Sequence, residues 1–217
     1  MLNGVIIISN LQDTIFFVFV ILMAIITFYE GFRIQLYKGV VEDSKLVYII
    51  GLFISLLQPL SGYNSMEELV WMYSIFLILF CIALILNRYI GGVRITIYDA
   101  TKKSLFSLIR SELATLSIQY EEKNGVDSEE RVYLLKDVHA KAVVRWTKEG
   151  EGSDKLTLIL KRWWKLYEGD EFKLRVIDHY RIERSKNNQV FWRPIILHFL
   201  FGLGILIFFI SIYLRGY

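Results

Sequence analysis

Apolar residues gather in long unbroken runs near the two ends of the chain and in short alternating runs in its middle. A bilayer core about 30 Å thick needs about 20 mostly apolar helical residues to cross it. Four stretches read that way: Thr14 to Phe32, Leu46 to Leu60 with a tilted extension through Gly62, Leu69 to Ile90, and Ile195 to Leu214. The second is short and carries Gln58-Pro59, so a re-entrant hairpin competes with a true span, which is preferred. The pattern predicts an α-helical membrane protein with four transmembrane helices arranged 3+1. Residues 1–90 hold three spans (about 14–32, 46–62 and 69–90), 91–193 form an inserted polar domain, and 194–217 hold the fourth span and a short tail.

Basic residues orient such segments, because Lys and Arg accumulate in short cytoplasmic loops. Arg33, Lys38 and Lys45 follow the first run; Arg88, Arg94, Lys102 and Lys103 follow the third; Arg184, Lys186 and Arg193 precede the fourth. The loop between the second and third runs has Glu67 and Glu68 and no base. These flanks fall on one side if the chain lies in the cell membrane with both termini extracytoplasmic and the central domain cytosolic. Tyr29, Tyr37, Trp71, Tyr89, Trp192 and Tyr213 sit near segment ends, where the headgroup layer suits amphipathic rings.

Inside 91–193 the periodicity changes. VRITIY (93–98) alternates with period two and predicts a strand. Asp99 or Thr101 offers a helix cap, and Leu105, Leu108, Ile109, Leu113 and Leu116 recur at three and four, which predicts one amphipathic helix. Strand-like runs follow at 118–121, 132–135, 140–146 and 155–163, separated by turns such as EEKNGVDSEE and KEGEGSD. FKLRVIDHYRIE (172–183) reads as a long final strand. One face would carry Phe172, Leu174, Val176, Tyr180 and Ile182, interrupted by Asp178, and the other Lys173, Arg175, His179 and Arg181. The expected domain is small and α+β, a mostly antiparallel sheet with one packed helix.

Composition narrows the chemistry. The chain has 217 residues, 54% hydrophobic and 22% charged, with one cysteine, so no internal disulfide or thiol zinc site is possible. Residues 91–193 hold 20 Lys or Arg against 16 Asp or Glu, an excess too modest for a dedicated nucleic-acid binder. There is no GxSxG, no GxxxxGK[ST] and no GxGxxG. Asp137 with His139, and Asp178 with His179, offer at most two metal ligands each, and neighbours on a strand point to opposite faces. Glu121/Glu122 and Glu129/Glu130 read as a solvated acidic turn rather than an acid/base pair. No ionisable group lies at the centre of an apolar run, which argues against an ion-coupled carrier. No cofactor is expected.

The most suggestive string is Lys161-Arg162-Trp163-Trp164-Lys165. With Lys173, Arg175 and Arg181 it outlines a basic aromatic surface for an anionic membrane leaflet or a partner. The expected function is a membrane-tethered cytosolic interaction or regulatory module. Its partners would be the lipid bilayer and another membrane or cytosolic protein, docked in part by strand addition. The alternatives are a membrane enzyme or transport subunit with its site at the cytosolic boundary, and binding of anionic lipid or nucleic acid through the basic aromatic strand, nucleic acid being the poorer fit.

Overall fold

The computed structural model describes residues 2–43, 66–86, 91–125, 127, 129–136, 138–148 and 154–215. Among these residues the helices are α1 (Leu2–Leu36), α2 (Met66–Leu86), α3 (Lys102–Thr115), α4 (Gly169–Lys186) and α5 (Trp192–Arg215). The strands are β1 (Val40–Glu42), β2 (Val93–Ala100), β3 (Tyr120–Asn124), β4 (Glu130–Leu135), β5 (Ala140–Lys148) and β6 (Asp154–Lys161). The chain divides into two compact units, one of Arg33–Asp43 with Ile85–Trp192, the other of Met1–Phe32, Ser44–Leu84 and Arg193–Tyr217.

The first unit is an α+β fold around one six-stranded sheet, ordered β1-β2-β6-β5-β4-β3 with every neighbouring pair antiparallel. Period-two alternation gives each strand an inner and an outer set of side chains. Ile95, Ile97, Leu156, Leu158, Leu160, Ala142, Val144, Tyr133 and Leu135 form the inner set and are buried. They pack against Leu105, Leu108, Ile109 and Leu113 of α3 and Phe172, Val176, Ile177 and Tyr180 of α4. Fully burying such a side chain contributes on the order of 1.5–3 kcal/mol before entropy is charged. Thr101 caps α3 by accepting a hydrogen bond from the Ser104 amide.

Two expectations about this unit are corrected. Residues 172–183 are helix, not strand. The buried residues Phe172, Val176, Ile177, Tyr180 and Arg184 are spaced at three and four. Asp170 and Glu171 open the helix and Arg184 and Lys186 close it, as the helix dipole favours. The brief alternation Phe172, Leu174, Val176 mimicked a strand, and Asp178 marked where it failed. The sheet therefore carries two helices, not one. The second correction is β1: Val40–Glu42, in a segment assigned to the N-terminal membrane region, pairs with β2 through Val40–Ile97 and Glu42–Ile95.

In the other unit, α1 and α5 pack antiparallel, with ring centroids 5.6 Å apart for Phe17–Phe209 and 5.1 Å for Phe28–Phe199. A Cβ on Gly202 would lie 2.7 Å from the Phe28 ring, so glycine permits the close approach. His198 is half-buried, and its Nδ1 lies 2.7 Å from the Pro194 carbonyl.

The 3+1 arrangement of four transmembrane helices, and with it the multi-pass reading, is overturned. Among the described residues one helical stretch is long and apolar enough to cross a membrane, Trp192–Ser211, with mean hydropathy 2.4. The apolar part of α2, Val70–Ala83, is 14 residues. At 1.5 Å per residue that is about 21 Å, short of a bilayer core about 30 Å thick. The run at 14–32 lies within the longer helix α1, where Val20 and Ala24 are buried at 7% and 1% exposure. Apolar residues of this kind serve helix contacts as readily as lipid, and hydropathy alone does not separate the two. The expected span at 46–62 lies outside the described residues.

Candidate binding face

The sheet face away from α3 and α4 is built from the outer set of side chains, and strand register aligns them in rows. One row runs Arg94, Ile159, Val143, Val132, Lys123 across five strands, three apolar residues between two cations. The adjacent row runs Lys161, Lys141, Leu134, Glu121. A third holds Thr96, Thr157, Arg145 and Glu130. Between these rows lies a groove of about 460 Å³, floored by Val132, Leu134 and Val143 and walled by Lys123, Lys141, Lys161, Arg162 and Glu130.

The charges in this face are not balanced. Glu130 is spent on Arg145, 2.8 Å away. Glu121 is held by Lys136 and Lys123, both at 3.2 Å, and these hydrogen bonds keep its carboxyl below the usual carboxylate range. Lys141 and Lys161 are direct cross-strand partners. Like charges facing each other across a sheet are destabilising. Among the described residues neither lysine, nor Arg162, has a carboxylate within 4 Å. Arg162 is exposed and sits at φ 54°, in the left-handed region, as the chain turns out of β6 into a single 3₁₀ turn, Trp163–Lys165.

The basic aromatic string does not form one surface. Lys161 and Arg162 line the groove. Trp163 turns inward: it is 5% exposed, packs tilted against the Phe172 ring with centroids 5.0 Å apart, and donates its indole N–H to the Gly169 carbonyl at 2.6 Å. Trp164 is 61% exposed, with the Lys165 ammonium 5.5 Å from its ring centroid. Lys173, Arg175 and Arg181 lie on α4, in the helical layer. Lys173 reaches Glu42 at 3.6 Å; Arg175 pairs with Glu171 at 2.7 Å and Glu112 at 3.6 Å. Arg181 donates to the Val40 carbonyl at 3.4 Å and lies 4.8 Å from the Tyr37 ring. At about 100° per residue these three do not share a face, and each already has an internal partner.

Sequence reasoning missed Lys123 and Lys141, which join Lys161 through register alone. It also missed a buried junction. Arg184, 3% exposed, donates to the carbonyls of Lys38 at 2.8 Å, Asp99 at 3.4 Å and Tyr98. Its guanidinium lies between the rings of Tyr180 and Phe191, 5.0 and 5.1 Å from their centroids. Burial lowers its pKa, while Tyr180, Asp99 and Glu183 oppose that shift. Gly39 has φ +70°, and a Cβ there would meet the Phe191 ring at 2.4 Å and the Arg184 guanidinium at 2.9 Å. Arg184 thus ties the end of α1, the end of β2 and the end of α4 together. No metal-binding group of three or more His, Cys, Asp or Glu exists among the described residues. His179 is exposed and edge-on to Tyr180 at 5.6 Å, His139 is an exposed turn residue, and Asp137 lies outside the described residues.

No known protein family, curated protein or solved structure matches the chain.

Proposed function

We propose that this protein is an interaction module, attached to a membrane through Trp192–Ser211, whose sheet holds an acidic segment of a partner protein against its open face. The observation that carries the reading is the uncompensated cation set Lys141, Lys161 and Arg162 beside the apolar floor Val132, Leu134 and Val143. Facing lysines cost stability inside the fold, and an external carboxylate relieves that cost on binding. The apolar floor supplies burial and the cations supply orientation and rate. Attachment is supported by the exposed apolar surface of α5, where Leu197, Phe201 and Phe208 are each at least 65% exposed. Lys186 precedes that helix and Arg193 lies in its first turn, which favours the sheet on the cytosolic side.

The test is fluorescence anisotropy with the full-length chain in detergent micelles and two labelled extended peptides, one alternating Glu with Val and the other Lys with Val. The Glu peptide is expected to bind, to weaken as salt rises, and to lose at least about tenfold in affinity with K141E/K161E. Equal binding of both peptides, or an unchanged affinity in K141E/K161E, overturns the proposal. Anionic vesicles run in parallel identify a lipid headgroup as the occupant if they bind the groove and the Glu peptide does not.

A further inference from the structure

The sheet has two edges, and the chain treats them differently. At β1 the outward carbonyls are taken: Arg33 donates to the Glu42 carbonyl at 2.6 Å and Arg181 to the Val40 carbonyl at 3.4 Å. At the other end of the sheet β3 pairs with β4 on one side only, and no described residue hydrogen-bonds its outer backbone edge. An exposed edge strand is a template for another strand, and natural sheets either block it or use it. We infer that β3 is the seam of a symmetric dimer, in which a second copy of this chain pairs antiparallel along Tyr120–Asn124 and makes one continuous sheet.

The charges of the strand point to a second copy. Pairing all five residues with their two-fold mates sets Glu121 opposite Lys123 of the second copy, and Lys123 opposite its Glu121. A two-fold interface is self-complementary by construction, so each favourable pair occurs twice. Sliding the register by two residues puts Glu121 opposite Glu121, or Lys123 opposite Lys123, and loses this match. On the helix side of the strand, Glu122 meets Glu122. Each of these carboxylates already lies 2.8 Å from Arg110 and 3.0 Å from Arg131, so two negative charges sit among four guanidiniums. The backbone bonds of strand addition supply affinity, and the charge pattern selects the register.

The test uses full-length protein in detergent micelles, with Cys81→Ser as background. Sedimentation is expected to show a concentration-dependent dimer, beyond the single-copy micelle. K123E places Glu opposite Glu and should weaken association at least about tenfold, and E121K/K123E should recover most of that loss. Cross-strand Cα separations of about 4.5–5.5 Å match disulfide geometry. A mixture of E121C and K123C proteins should therefore crosslink under mild oxidation, while either alone should not; E122C alone should. Thermal unfolding of each variant checks that it is folded. A protein monomeric at every concentration, a K123E variant that associates as tightly as the parent, or E121C alone crosslinking as well as the mixture would each overturn the dimer. Lys123 also walls the groove, so K141E/K161E separates the two proposals: it removes peptide binding while the β3 edge, and with it the association, stays intact.

Discussion

Arg184→Met tests whether the buried junction holds the fold together. The guanidinium donates two close hydrogen bonds to backbone carbonyls, those of Lys38 and Tyr98, and a weaker one to Asp99. Hydrogen bonds from a charged donor contribute about 1.5–3 kcal/mol each, so the two strong ones supply roughly 3–6 kcal/mol. Methionine avoids the desolvation cost of a buried cation, several kcal/mol, but leaves buried carbonyls without a donor at about 1–3 kcal/mol each. The thioether chain keeps contact with the rings of Tyr180 and Phe191 but gives up the cation–π part, about 0.5–2 kcal/mol for the pair of rings. The balance predicts a loss of about 2–4 kcal/mol, seen as a fall of roughly 5–15 °C in Tm for a chain of this size. Arg184→Lys should cost less, about 1–2 kcal/mol, because an ammonium serves one carbonyl but not the fork. The assay is thermal and urea unfolding of the full chain in detergent, followed by circular dichroism. Amide hydrogen exchange at Tyr98, whose N–H donates to Gly39, reports the junction locally. A Met variant as stable as the parent would refute the reasoning: the site would then be one where packing replaces the ion at no loss.

Three further outcomes follow from the same structure. Tyr133 is fully buried, its hydroxyl has no hydrogen-bond partner among the described residues, and burial first and the Glu122 charge second push its pKa up to about 12. The raised value means its contribution is intact below pH 10 and fades as pH climbs from 10 to about 12, by on the order of 3 kcal/mol in total. Tyr133→Phe should flatten that part of the stability–pH curve and be neutral or slightly stabilising at pH 7, as measured by urea midpoints. Gly39→Ala should cost about 1–3 kcal/mol, since it forces φ +70° on a residue with a Cβ and drives that Cβ into the Phe191 ring. Trp163→Ala should cost about 3–5 kcal/mol and Trp164→Ala less than about 1 kcal/mol, because the first is buried and the second 61% exposed; differential scanning calorimetry separates them.

The strands β2, β4, β5 and β6 were legible as short alternating runs, or in β4 an apolar run, set between turns, and α3 because five apolar residues repeat at three and four behind a capping threonine. α4 was misread where local pattern is ambiguous: Phe172, Leu174 and Val176 satisfy period two, and only the longer series through Tyr180 and Arg184 declares a helix. β1 has three residues and owes its strand conformation to β2, so nothing local announces it. The long apolar runs carried a length signal without a statement of what surrounds them. The binding face was half visible. Lys161 and Arg162 stood out beside two tryptophans, yet one tryptophan belongs to the core. Lys141 and Lys123 lie 20 and 38 residues earlier in the chain, and only antiparallel register brings them to the same groove. Arg184 read as one of many basic residues flanking an apolar run, because burial is not written in its neighbours.

The sealing of β1 has a consequence for how far this sheet can grow. A sheet with two open edges is a monomer for fibre growth, since each added strand presents a new edge. Here Arg33 and Arg181 occupy the carbonyls on one side, so pairing at β3 uses up the one edge left open among the described residues, and growth stops at two copies. The two arginines therefore act as chain terminators. In their absence the same sheet would count without limit.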